Sequence, residues 1–242
     1  MDLFQWKQSL LDLLFPPHCI GCDALDSSLC ATCLASIPLR DPGCLVCGAR
    51  NRSGIFCASC KRFAPFLTRV LWASTYEIDL MFRALTQFKY NGNRALAEPL
   101  GTLIVTSLKK RVQEKKNFIP PDALLAPMPL HPRRLRARGY NQSALLASSI
   151  HQELALPILP KNTLLRVKNT NPQAKCSGGR EARNKNVAGA FAIPADKQIY
   201  VRGKTILIVD DIATTGSTLN EAARVLKEAG ARQIWGIVVA KG

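Results

Sequence analysis

Hydrophobic and polar positions divide the chain into two stretches with different periods. From Thr68 onward, short apolar runs alternate with segments whose apolar residues recur every three to four positions, the pattern of strands alternating with helices. Strands are expected at Val70–Tyr76, Ala123–Ala126, Thr205–Val209 and Gln233–Ala240, with shorter ones at Thr163–Val167 and Phe191–Ile193. Helices are expected at Ile78–Tyr90, Ala95–Val112, Asn141–Leu154 and Ser217–Ala229, the last stopped by Gly230. This alternation predicts an α/β fold around a parallel sheet. Ahead of it, Met1–Phe15 has the period of an amphipathic helix, and residues 16–66 follow neither period. The longest apolar run, Ile234–Ala240, is far below the ~18 residues of a membrane helix, so no integral membrane segment is expected. Met1–Phe15 carries Asp2 and Asp12 and no small-residue cleavage site, which argues against a secretory leader. The expected location is the cytoplasm, near the inner face of the membrane.

Cysteines explain why residues 16–66 lack a period. Eight of the nine form four C-x-x-C pairs: Cys19/Cys22, Cys30/Cys33, Cys44/Cys47 and Cys57/Cys60. A tight C-x-x-C turn points both sulfurs at one ion, and two such turns complete a tetrahedral zinc site. In a thiol-reducing compartment disulfides are disfavoured, and the ferredoxin cysteine run is absent. Two structural zinc ions are therefore expected, with sequential and interleaved pairing both open. His18 beside Cys19 reads as a linker residue.

Charge changes the picture next. Lys and Arg number 33 against 17 Asp and Glu, a formal +16, and residues 67–242 hold 27 of the basic and 12 of the acidic residues. Two Cys₄ zinc sites, each carrying about −2, still leave roughly +12. Such a surplus points to a polyanionic partner such as nucleic acid.

The chemistry concentrates in Lys204–Leu219. Ile206, Leu207, Ile208 and Val209 make a strand buried on both faces, and Asp210 and Asp211 follow where ligands of open α/β sheets bind. Thr214, Thr215, Gly216, Ser217 and Thr218 then lead into a helix, with Thr218 and Glu221 at capping-box spacing. A nest of amides and hydroxyls at a helix N-terminus suits a phosphate monoester. Carboxylates beside it suit a ribose 5-phosphate. A second constellation is Arg133, Arg134, Arg136 and Arg138, read as an anion loop for pyrophosphate or DNA phosphate. His131 in that segment either transfers protons or shapes the turn. Tyr90 and Tyr140 are candidate stacking platforms or core residues.

Val209–Thr218 resembles the phosphoribosyl pyrophosphate (PRPP) motif of type I phosphoribosyltransferases, with Ala213 smaller than the branched residue common there. With the eight cysteines, Phe88–Gly92, Arg138-Gly-Tyr-Asn-Gln142, Gln173, Arg183-x-x-Asn186 and Gly189–Phe191, nearly the whole chain resembles the ComF/GntX family of competence-associated proteins. The resemblance implies a zinc-ribbon module at 1–66 and a phosphoribosyltransferase-like domain at 67–242. It implies that Asp210 and Asp211 meet the ribose hydroxyls directly or through Mg²⁺, while Thr214–Thr218 hold the 5′-phosphate. As partners it implies incoming single-stranded DNA, PRPP or a related ligand, and other proteins of the DNA-uptake machinery. Two function classes stay open: a PRPP- and DNA-binding protein, or a phosphoribosyltransferase releasing pyrophosphate, for which no acceptor pocket is readable.

Overall fold

The computed structural model describes residues 16–170 and 179–242; the expected helix at Met1–Phe15, and Gln173, lie outside the described residues. The cysteine module contains two short helices, α1 (Ala31–Ser36) and α2 (Ala58–Lys61). The body follows as β1 (Arg69–Thr75), α3 (Asp79–Tyr90), α4 (Ala97–Glu114), β2 (Ala123–Pro127), α5 (Pro132–Arg138), α6 (Gln142–Leu154), β3 (Leu165–Arg166), α7 (Gly179–Val187), β4 (Phe191–Ala192), β5 (Thr205–Ala213), α8 (Ser217–Glu228) and β6 (Gln233–Lys241). Four strands form a parallel sheet in the order β1-β6-β5-β2, and β3 pairs antiparallel with β4 in a separate ribbon.

The two-residue strand period distributes the core over both faces of the sheet. Val70, Ile206, Ile208, Ile234 and Val238 pack under α8, whereas Leu71, Leu207, Val209, Trp235 and Ile237 pack under α3, α4 and α6. All of Ile206–Val209 are fully buried, worth roughly 1.5–3 kcal/mol each, so the central strand has little freedom to shift register. In α8 the apolar stripe Leu219, Ala222, Ala223 and Leu226 lies on the sheet. Gly236 of β6 admits it: a Cβ there would sit 2.9 Å from Leu219 Cδ1.

The cysteine module wraps the β1 edge and does not stand free. Val70 N–H donates to Gly54 O at 2.9 Å, Arg40 N–H to Ala73 O at 2.8 Å, and Ile55 bridges to Arg69. These bonds occupy an edge that would otherwise expose unpaired backbone groups. Cys19, Leu29 and Ile37 join the core on one face of the sheet, and Cys44, Leu45, Phe56 and Cys60 join the core on the other. Arg111 of α4 is buried, donating to Arg52 O at 2.7 Å with Asp41 at 3.6 Å, and serves as a clamp between module and body.

Candidate phosphoribosyl site and zinc centres

The site lies at the carboxyl end of β5. The strand continues through Ala213, four residues beyond its expected end at Val209, because Asp210, Ile212 and Ala213 keep pairing with β6. The chain then turns at Gly216, whose φ of 77° favours glycine, and α8 begins at Ser217. Thr215 Oγ1 lies 2.8 Å from Ser217 Oγ and accepts from Ser217 N–H at 3.4 Å, which closes the loop. The capping box does not form. Gly216 is the N-cap, Thr218 is already helical, and Glu221 instead accepts from Gly189 N–H at 2.9 Å and pairs with Arg224.

Two adjoining halves of one cleft share Lys89, Tyr90, Asp210, Ile212 and Thr218. One half, about 180 Å³, is walled by Thr214–Leu219; the other, about 150 Å³, is walled by Arg134, Arg138 and Arg166. Between them Asp210 Oδ1 accepts from Ser143 Oγ at 3.0 Å and from Asp211 N–H at 2.9 Å. Burial, then the neighbouring Asp211 carboxylate, pushes Asp210 up to about 7. Asp211, 5% exposed, pairs with Lys89 Nζ at 3.0 Å. Burial works against the Lys89 ammonium, but Asp211 and Asp210 outweigh it and raise its pKa. A carboxyl poised near neutrality can trade its proton for a cation, which suits Mg²⁺ with its preference for one or two carboxylates plus phosphate oxygens.

The sequence reading missed Lys89, and the signal was the Phe88-Lys89-Tyr90-Asn91-Gly92 stretch. Phe88 C=O lies in the last turn of α3, where carbonyls lack helical partners. Tyr140 Oη–H and Gln142 Nε2–H both donate to it, and Asn141 caps α6 by accepting from Ser143 N–H at 3.0 Å. Arg138-Gly-Tyr-Asn-Gln142 therefore fastens the end of α3 that carries Lys89, and its neighbour Ser143 orients Asp210. Tyr140 is a buried core residue; Tyr90 is 63% exposed, with the Arg138 guanidinium 5.5 Å from its ring centre.

The four arginines do not form a loop. Pro132–Arg138 is a helix, opened by Pro132 at its first position and closed by Gly139 at φ 76°. Helical spacing sets Arg134 and Arg138 on one face, lining the cleft, while Arg133 and Arg136 do not line it. Arg166, 8% exposed, joins them from β3. Its guanidinium donates to Thr170 Oγ1 at 2.6 Å, its Nε has no partner, and burial followed by Arg134 brings its pKa down to about 10. Among the described residues, Arg134, Arg138 and Arg166 form no ion pair with a carboxylate. Cations crowded in this way favour an anion between them. His131 Nδ1 accepts from Arg133 N–H at 3.3 Å as the cap of α5, and burial followed by Arg133 lowers its pKa; it shapes the turn.

The cysteines settle into sequential sets, Cys19/Cys22/Cys30/Cys33 and Cys44/Cys47/Cys57/Cys60, with the sulfurs of each set within 4.8 Å of one another. Cys22–Cys30 and Cys47–Cys57 sulfurs stand 3.7 Å apart, close to the ~3.8 Å edge of a tetrahedron with Zn–S of ~2.3 Å. Burial disfavours the Cys19 thiolate, but the backbone N–H groups of Cys30, Cys22 and Gly21 outweigh it and bring the pKa to about 6. Cys33 is pushed up to about 12, chiefly by Cys22. Four sulfurs so close all ionise only around a cation, and both sets fit structural zinc. His18 bonds Asp23 at 3.1 Å and belongs to neither set.

Residues 141–242 match the model of the phosphoribosyl transferase domain, and residues 10–61 that of the double zinc ribbon domain. The chain is similar to competence protein F of Haemophilus influenzae, 30% identical over 226 residues that cover 91% of this chain and 94% of that protein. The chain belongs to the competence protein F family. Two further proteins similar to this family member are DNA utilization protein YhgH of Salmonella typhi, 29% identical over 211 residues (86% of this chain, 88% of that protein), and competence protein ComFC of Bacillus subtilis, 26% identical over 212 residues (85% and 80%). In this competence protein F family member the zinc-ribbon match lies along β1, which falls between the two matched segments. No described helix is long and apolar enough to cross a membrane.

Proposed function

We propose that this protein binds PRPP or a related phosphoribosyl ligand with Mg²⁺, and handles incoming single-stranded DNA during DNA uptake. One observation carries the reading: Asp210 stands between the Thr214–Thr218 loop at the start of α8 and a cluster of guanidiniums, all within one cleft. The Thr214–Thr218 loop would hold the 5′-phosphate, Asp210 and Asp211 the ribose hydroxyls or the metal, and Arg134, Arg138 and Arg166 a second phosphate group. Mg²⁺ would neutralise phosphate charge beside the carboxylates. The names of the relatives, competence and DNA utilization, support the DNA-uptake role. The basic surface supports DNA as partner, with exposed Tyr90 as a stacking platform beside Arg138.

A second reading, phosphoribosyl transfer with release of pyrophosphate, is favoured by a mostly apolar cavity of about 520 Å³. It shares Leu130 and Arg166 with the cleft and is walled by Pro129, Pro132, Leu135 and Leu164. An acceptor base seated there would lie beside the guanidiniums that stabilise the leaving group. Calorimetric titration of the full chain with PRPP, with and without Mg²⁺, tests the first reading, alongside single-strand DNA binding at several salt concentrations. Mg²⁺-dependent PRPP binding together with salt-sensitive DNA binding is expected. Loss of both would overturn it, and pyrophosphate release on adding a nucleobase would favour the second reading.

A further inference from the structure

Both cysteine sets face the body, but they lean on different parts of it. The first touches the N-terminal half of α3: Arg83 donates to Ile20 O at 2.6 Å, and Gly21 sits against Leu80. Leu80 precedes Lys89 by nine residues, or about 13 Å along the helix. The second set touches the phosphate loop itself. Leu45, 2% exposed, lies between Cys44 and Cys47, and its Cδ2 is 2.9 Å from the place of a Cβ on Gly216. Gly216 is thus a glycine for two reasons, its positive φ and the side chain pressed onto it.

Two more contacts join the same partners. Arg180 donates to Thr215 O at 3.0 Å while its guanidinium lies 5.0 Å from the ring centre of Phe63, three residues beyond Cys60. Phe66 N–H donates to Asn220 Oδ1 at 3.2 Å in the first turns of α8. The tip that carries Leu45 is itself rigid, since Cys44 N–H donates to Ala49 O and Gly48 N–H to Cys44 O, each at 2.8 Å.

We propose that Leu45 and Phe63 of the cysteine module are positioning residues for the phosphate loop, setting the backbone of Thr215–Ser217 in its anion-binding conformation. The N–H groups of that loop would face an anion only while Gly216 keeps its left-handed turn, and Leu45, which does not line the cleft, packs against that turn. The inference rests on the reading that this loop binds phosphate.

The test uses the full chain with its metals and compares Leu45→Ala with Leu29→Ala, a buried leucine of the first set away from the loop. Leu45→Ala should weaken Mg²⁺–PRPP binding roughly tenfold, Leu45→Met should restore it, and Leu29→Ala should leave affinity unchanged well below its melting temperature. Amide resonances of Thr215, Gly216 and Ser217 should shift in Leu45→Ala without ligand. That readout stays informative if the parent binds no PRPP, a result that would count against the functional reading and not against this one. If Leu45→Ala does not fold, Phe63→Leu, which keeps an apolar side chain but loses the ring face, should shift the Thr215 amide and weaken binding. Unmoved loop resonances, or equal loss of affinity in the Leu45 and Leu29 variants, would overturn the proposal.

Discussion

The two sides of the cleft are built by different means. On one side, the five consecutive residues Thr214–Thr218 form one tight turn into α8, with a glycine at its bend and Leu45 packed against it. On the other, Arg134 and Arg138 come from α5 and Arg166 from β3, and nothing but the tertiary fold makes them neighbours, while Lys89 of α3 stands between the two sides. Thr214–Thr218 carry no formal charge themselves, and Arg183 donates to Thr214 Oγ1 at 3.2 Å. The second side brings three guanidiniums together, none of them in an ion pair with a carboxylate among the described residues. Under the proposed function the labour would be divided, with the loop selecting geometry and the side chains supplying charge.

The largest effect should come from Lys89, because it touches the carboxylates between the two sides. Lys89→Met leaves Asp211 buried without its partner and should lower stability by about 3–5 kcal/mol in urea unfolding, with most of the loss recovered by adding Asp211→Asn. A variant as stable as the parent would show that the two sides are not joined through this pair.

Next is Asp210. Its folded pKa of about 7 lies above the ordinary 3.8, so the stability it contributes is fully present below about pH 3.8 and lost as pH rises through about 7. The stability of the parent relative to Asp210→Asn should therefore fall between pH 4 and pH 7.5. Divalent-cation binding should tighten over the same window as the proton leaves. A flat difference across that range would contradict a buried, proton-holding carboxyl.

Arg166 should separate affinity from stability. Arg166→Leu should weaken Mg²⁺–PRPP binding by about 1.5–3 kcal/mol, while thermal stability holds or rises as the crowding with Arg134 is relieved. Unchanged affinity would remove the guanidinium side from the binding site. The smallest effect concerns Arg133 and Arg136, which do not line the cleft. Arg133→Glu with Arg136→Glu should leave PRPP affinity within about twofold, and should reduce the logarithmic salt slope of single-strand DNA binding by about 0.7 for each DNA phosphate that is no longer neutralised. Equal losses for both ligands would mean that DNA and PRPP compete for the cleft.

Much of this molecule was legible because its signals are contiguous. The four apolar residues of β5 announce a buried parallel strand, and the C-x-x-C pairs announce metal sites. The Thr214–Thr218 run, with Gly216 in it, announces the turn into α8. Other signals were present and read differently. Arginine density suggested a loop over Pro132–Arg138, although proline at the first helical position and glycine just past the last one mark a helix, and that helix splits the four arginines into two faces. Thr218 and Glu221 have capping-box spacing, but the chain turns earlier at Gly216, which leaves Glu221 free to bind Gly189.

Sequence alone determined the alternation of strands and helices, the paired cysteines and the glycine turn that opens α8, because each depends on residues a few positions apart whose geometry is set by local backbone preferences. Tertiary structure alone decided that cysteines pair in sequential sets, that Lys89 and Arg166 join Asp210, and that Leu45 presses on Gly216. Those contacts span up to 171 residues between Leu45 and Gly216, and they exist only because burying both faces of one sheet brings the cysteine module, α3 and β3 to the same end of β5.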